Sequence, residues 1–201
     1  MGRRVVKEPQ MANAFIPRDI IHERSDNIGE DPAEHQATLT RLLKSQRRLT
    51  KFIEENQADM EPATAGVTLY LIGVLVRLFD LAGGQLRSAT WAQLREASAK
   101  VQAAIPSIMP LDDDLPERVR KVEGRAQPHI LDEALMSLFE RGARSEEEAD
   151  LSTAESVKVF LLMWVVTEVL DANWRPPSSF AGEASYTYVH IEPAEPEASK
   201  E

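Results

Sequence analysis

Cysteine is absent from this 201-residue chain, and aromatic residues make up only 6 % of it. Without thiols there are no disulfides, thiolate metal sites or cysteine nucleophiles, a pattern that fits a reducing compartment and predicts a cytoplasmic protein. Histidine is scarce as well. His22, His35, His129 and His190 fall in four segments of different kinds. No pair has the i, i+4 spacing of a helical zinc site, and no Glu-x-x-His repeat marks a di-iron bundle. Glycine-rich phosphate loops, nucleophile elbows and dinucleotide fingerprints are missing too. These absences predict no catalytic residues, no cofactor and no metal, and they weigh against an enzyme. Long hydrophobic runs are also lacking. Ala65–Val76 is nearly all apolar before Arg77 and Asp80 interrupt it, and Val159–Val166 is bracketed by Lys158 and Glu168. Both fall short of the roughly twenty residues a bilayer requires, so the expectation is buried core helices and no transmembrane segment.

What the chain does have is charge, unevenly placed. The net charge is −10. Residues 1–51 nevertheless hold ten Lys/Arg against seven Asp/Glu, whereas residues 146–201 hold three against twelve. An acidic end of this kind makes nucleic acid an improbable main partner, because phosphate contacts need concentrated positive charge.

Helical periodicity dominates. Asp31 as N-cap and Pro32 at the first helical position predict a helix that continues to about Asp59, with Leu39, Leu42, Leu43, Leu49 and Ile53 on one face. A second helix is expected from Ala63 to Leu81, stopped by Gly83-Gly84. Gly66 and Gly73 on one of its faces would let a neighbouring helix approach. A third should start near Ser88 or Thr90, where Thr90 and Gln93 match the capping-box spacing, and end before Pro106. Within the proline-containing connection 106–127 a short helix is expected at Pro116–Val122, followed by Pro128–Arg141. Ser145/Glu148 and Ser152/Glu155 repeat the capping-box pattern, predicting a short turn at 146–151 and a long helix over Thr153–Ala172 that Pro176-Pro177 ends.

These elements predict an all-α fold, a single-domain helical bundle of about five main helices over 31–178. Residues 1–30 read as an N-terminal arm that Ile16, Ile20 and Ile21 could pin to the body, and 179–201 read as an extended acidic tail. The tail alternates over Ser185–Ile191, placing Tyr186, Tyr188 and His190 on one side. Such a segment packs on its own body, pairs with another chain or stays loose. Two stretches also echo each other about sixty residues apart. Leu75, Leu78, Phe79, Asp80 and Gly83 lead to Ser98-Ala99-Lys100-Val101, as Leu135, Leu138, Phe139, Glu140 and Gly142 lead to Ser156-Val157-Lys158-Val159. A duplicated αα-hairpin is one explanation and chance similarity in an Ala/Leu/Glu-rich chain the other.

Candidate sites follow from charge. Arg41, Lys44, Arg47, Arg48 and Lys51 share about a third of a helical circumference opposite the leucine stripe. With Tyr186 and Tyr188 they are the expected contacts to a protein partner or a second copy. Arg77, one turn from Asp80 in the most apolar helix, reads as a local ion pair at an exposed edge. The alternative puts Arg77, Tyr70 and Trp164 around a small-molecule or anion pocket between the second and last helices. Asp112-Asp113-Asp114 reads as a solvated loop, and His129 with Asp132 and Glu133 as surface groups of a helix start. The function expected is therefore a non-enzymatic interaction domain, adaptor, regulatory or self-assembling, with a ligand-binding bundle as the alternative. A variant of the first is an acidic neutraliser of a basic partner.

Overall fold

The computed structural model describes residues 13–30, 32–112, 114–140 and 151–187. The fold is all-α. Its helices are α1 (Arg18–Glu30), α2 (Pro32–Ser45), α3 (Arg47–Gln57), α4 (Pro62–Leu81), α5 (Trp91–Ile108), α6 (Leu115–Arg120), α7 (Pro128–Leu135) and α8 (Thr153–Asn173), and a π-helical turn, Met136–Glu140, extends α7.

Helix α8 is the hub. Buried over most of its circumference, it packs against α4, α5 and α7. An apolar stretch that would be too long for one face is thereby covered on several sides, as expected of a core helix. Helix α4 has the length and apolarity of a membrane span, and 44 % of its most apolar window is buried in the fold. Gly73 does admit a neighbour: a Cβ there would come within 2.8 Å of Leu39 and 3.1 Å of His35 Nε2, both on α2. Gly66 faces open space. Between α4 and α5, residues Gln85–Leu86 (β1) pair antiparallel with Trp174–Arg175 (β2). Gly84, at φ +86°, is required in that turn, since a Cβ would sit 2.1 Å from the Arg175 carbonyl oxygen.

Both described capping boxes form. Thr90 accepts from the Gln93 backbone N–H and Ser152 from that of Glu155. The Ser152 hydroxyl and backbone N–H both donate to Glu155, as does Thr64 across the interface at 2.6 Å. These bonds lower the Glu155 pKa to about 2. A carboxylate depressed in this way adds stability above its ordinary value, and that stability is lost as pH falls through about 2. Ser152→Ala should cost about 1 kcal/mol, measured by urea denaturation at pH 7.

Four expectations are corrected. Residues 18–30, read as part of an arm that isoleucines could pin to the body, form the helix α1 and are pinned by them. Ile16, Ile21 and Ile28 are buried, and α1 packs on α4 and α7. The helix expected over 31–59 breaks at Gln46, whose side chain is 2 % exposed. Its amide donates to the Arg87 carbonyl at 3.1 Å and accepts from Ala89 N–H at 3.1 Å, so the chain bends to serve the loop before α5. Helix α5 continues through Pro106 to Ile108, because a proline in a final turn forfeits only one backbone bond. The helix expected over 128–141 is helical to Glu140 but changes pitch within its span, from α over Pro128–Leu135 to π over Met136–Glu140. The second copy of the internal echo crosses 141–150, outside the described residues. So do the predicted Ser145/Glu148 cap and most of the turn at 146–151.

Candidate functional site

The bend at Gln46 turns the predicted basic face into an elbow. Arg41 and Lys44 stand on α2; Arg47, Arg48 and Lys51 stand on α3; all five are exposed. Arg41 lies 3.7 Å from Asp80 and Lys51 3.8 Å from Glu55. Lys44, Arg47 and Arg48 form no ion pair among the described residues. A shallow groove runs through the elbow, with Leu43 and the stems of Lys44, Arg47 and Lys51 along it.

The structure does not bring Arg77, Tyr70 and Trp164 together. Trp164 is 1 % exposed, and its indole Nε1 donates to Glu168 at 3.1 Å. Glu168 also accepts from Lys100 at 2.5 Å and from Ala126 N–H at 3.0 Å, so Trp164 belongs to a core polar knot. Tyr70 is 50 % exposed and meets His35 edge-on. Arg77 donates to Asp80 at 3.3 Å, as the local-pair reading expects, and also to Glu34 of α2 at 3.0 Å. Asp80 therefore links Arg77 to Arg41 of the elbow.

His129 is not a surface residue. It is buried in a charged centre made by α6, α7 and the segment that follows β2. Gln127 adopts φ 43° and starts α7, sending its side chain back to accept from Ile16 N–H at 2.8 Å and donate to Asp171 at 2.7 Å. One turn on, Asp132 Oδ1 lies 3.7 Å from Arg120 Nε and 3.6 Å from Arg125 Nη1. Arg120 also forms a bidentate pair with Glu140 at 2.6 and 2.8 Å.

The residues after Pro177 strap this centre down. Glu183 pairs backbone to backbone with Phe15, and its carboxylate sits 2.8 Å from His129 Nε2. Tyr186 donates its hydroxyl to Asp132 at 2.7 Å and lays its ring over Arg125 at 5.0 Å. Burial pushes the Asp132 carboxyl up, against the Tyr186 bond and the two guanidinium groups. Burial and the bond to Asp132 push the Tyr186 phenol up to about 12. Of the three fates open to the tail, the described part, which ends at Thr187, takes the first through Tyr186, packing on its own body. Tyr186 is thereby committed within the chain, while Tyr188 lies outside the described residues. Sequence reasoning missed this centre because its parts come from positions 15, 120–132 and 183–186. The only local signal was the grouping of His129 and Asp132 after Pro128.

Asp112 accepts from Arg118 and from Asp114 N–H, which fits a loop closed by its own contacts. Among the described residues no group of three or more His, Cys, Asp or Glu is placed to hold a metal ion. Comparison with protein-family models, with curated proteins and with solved structures returns no match.

Proposed function

We propose that this chain is a non-enzymatic docking domain that engages an acidic protein surface through the α2–α3 elbow. One observation carries the reading. In a chain of net charge −10, Lys44, Arg47 and Arg48 are all exposed within five residues at the elbow, without an ion pair among the described residues. Exposed like charges held together raise the local potential and speed encounter with a surface of opposite sign. The leucine stripe of the same helices is spent on the core, with Leu39, Leu49 and Ile53 buried, so the outward face is free to recognise charge. A chain without cysteine fits a reducing compartment, and we place the domain in the cytoplasm.

A second copy is the partner that the charge distribution itself suggests, because residues 146–201 carry twelve acids against three bases. Head-to-tail association of that kind is salt-sensitive. Light scattering at about 50 and 300 mM salt separates the two partners. A dimer or larger species that dissolves at the higher salt supports self-assembly, and a monomer at both points to a foreign partner.

The elbow is tested by the triple variant Lys44→Glu, Arg47→Glu, Arg48→Glu. Each change is at an exposed position, where stability shifts stay within about 0.5 kcal/mol. Binding to an immobilised acidic protein or glutamate-rich peptide should fall at least tenfold while melting stays close to that of the parent. Unchanged binding by the triple variant would remove the elbow from the interface.

A further inference from the structure

A groove of about 440 Å³ opens between α1, α2 and α4, with Glu23 and Arg24 on one side, Glu34 and His35 on another and Arg77 on the third. His35 is 7 % exposed, and neither of its ring nitrogens has a hydrogen-bond partner. Burial and the nearby Arg77 lower its pKa, so the ring is neutral at pH 7 and offers one donor and one acceptor. Buried polar groups ordinarily find partners within the fold. Here α4 instead carries Gly73, whose missing side chain makes the room in which this imidazole sits.

Arg77 lies alongside. Its side chain is 14 % exposed, and its Nε is buried without a partner. The carboxylate that holds Nη2 belongs to Glu34, whose side chain is 65 % exposed. Arg24 reaches across the groove to the Leu81 carbonyl at the end of α4. Ile28 and Leu81 supply apolar wall.

We propose that this groove binds the carboxylate of a small aliphatic acid, which replaces Glu34 on Arg77, meets His35 and lays its hydrocarbon part against Ile28 and Leu81. The planar two-oxygen head matches a guanidinium fork. Charge favours a monoanionic carboxylate over a dianionic phosphate. Arg24 and Arg77 face Glu23, Glu34 and also Asp80, which pairs with Arg77 Nη1 at 3.3 Å, so the groove has no surplus positive charge for a second negative one. The site does not depend on the elbow, and its test leaves the elbow residues untouched.

Hexanoate is the probe. Titrated into the full chain at constant ionic strength, it should shift the imidazole resonances of His35 saturably, the signals being identified by their loss in His35→Gln. Glu34→Gln removes the internal competitor and should tighten binding about tenfold, near 1.4 kcal/mol. Arg77→Gln should abolish the shift. Arg77→Lys, which keeps the charge on a less matched head, should weaken it without loss of the fold as judged by circular dichroism. Absence of a His35 shift, an equal response to chloride or inorganic phosphate, or an affinity indifferent to Glu34→Gln would each overturn the proposal.

Discussion

Asp132→Ala is expected to lower the stability of the domain by about 3–5 kcal/mol, read as a drop in the urea midpoint. The substitution strips the shared carboxylate from two arginines whose side chains are each 2 % exposed. Arg120 keeps Glu140, and Arg125 keeps the carbonyls of Arg120 and Val122. The positive charge nevertheless stays buried while its central counter-charge is gone. Tyr186 loses its acceptor in the same step, so the strap should loosen and protease cleavage after Tyr186 should accelerate. The sign of the pH effect is a separate check. Burial raises the Asp132 pKa despite both arginines. The folded chain therefore holds that proton more tightly than the unfolded chain does. Stability contributed by Asp132 is greatest below its ordinary carboxyl value and falls as pH rises through the raised one. Asp132→Ala should lose that part of the slope. Replacing Arg125 by Met and Asp132 by Leu together should recover much of the deficit, because removing a buried charge along with its partner costs far less than removing one alone.

Sequence read most clearly where structure is decided locally. Thr90/Gln93 and Ser152/Glu155 are capping boxes in the chain and in the fold; α4 and α8 start within one residue of their predicted first residues, and α5 takes Thr90, the later of its two expected starts, as its cap. Each of those helices has its own start signal and its own apolar supply. Helix α1 has neither. Its isoleucines are few and its remaining residues polar, so it is helical because α4 and α7 offer it a surface. The break at Gln46 was equally hidden, since a glutamine inside a leucine-striped helix carries no local sign that Arg87 and Ala89 will need its amide. The basic elbow was legible because charge on an exposed face needs no tertiary knowledge. His129 read as a surface residue for the opposite reason. What buries it, Glu183 and Tyr186, arrives more than fifty residues later.

Trp164→Ala is the second large effect, about 3–5 kcal/mol of stability lost, measured by urea or thermal unfolding. Trp164 sits on α8 at the centre of the core, against Phe160 with ring centroids 6.0 Å apart. Deleting its ring opens a cavity that three packed helices cannot close. It also removes one of the donors to Glu168, a carboxylate 8 % exposed. Trp164→Phe keeps most of the volume while removing the indole N–H and part of the ring system. Its cost should fall to about 1–3 kcal/mol, shared between an under-satisfied buried acceptor and a smaller void. Lys100→Met attacks the same carboxylate from the solvent side, where a 47 % exposed ammonium holds it at 2.5 Å. If Trp164 served a ligand pocket, Trp164→Ala would spare stability and abolish small-molecule binding. Placement in the Glu168 knot predicts the reverse: a much less stable chain whose groove at His35 and Arg77, built from α1, α2 and α4, still responds to hexanoate for as long as it remains folded.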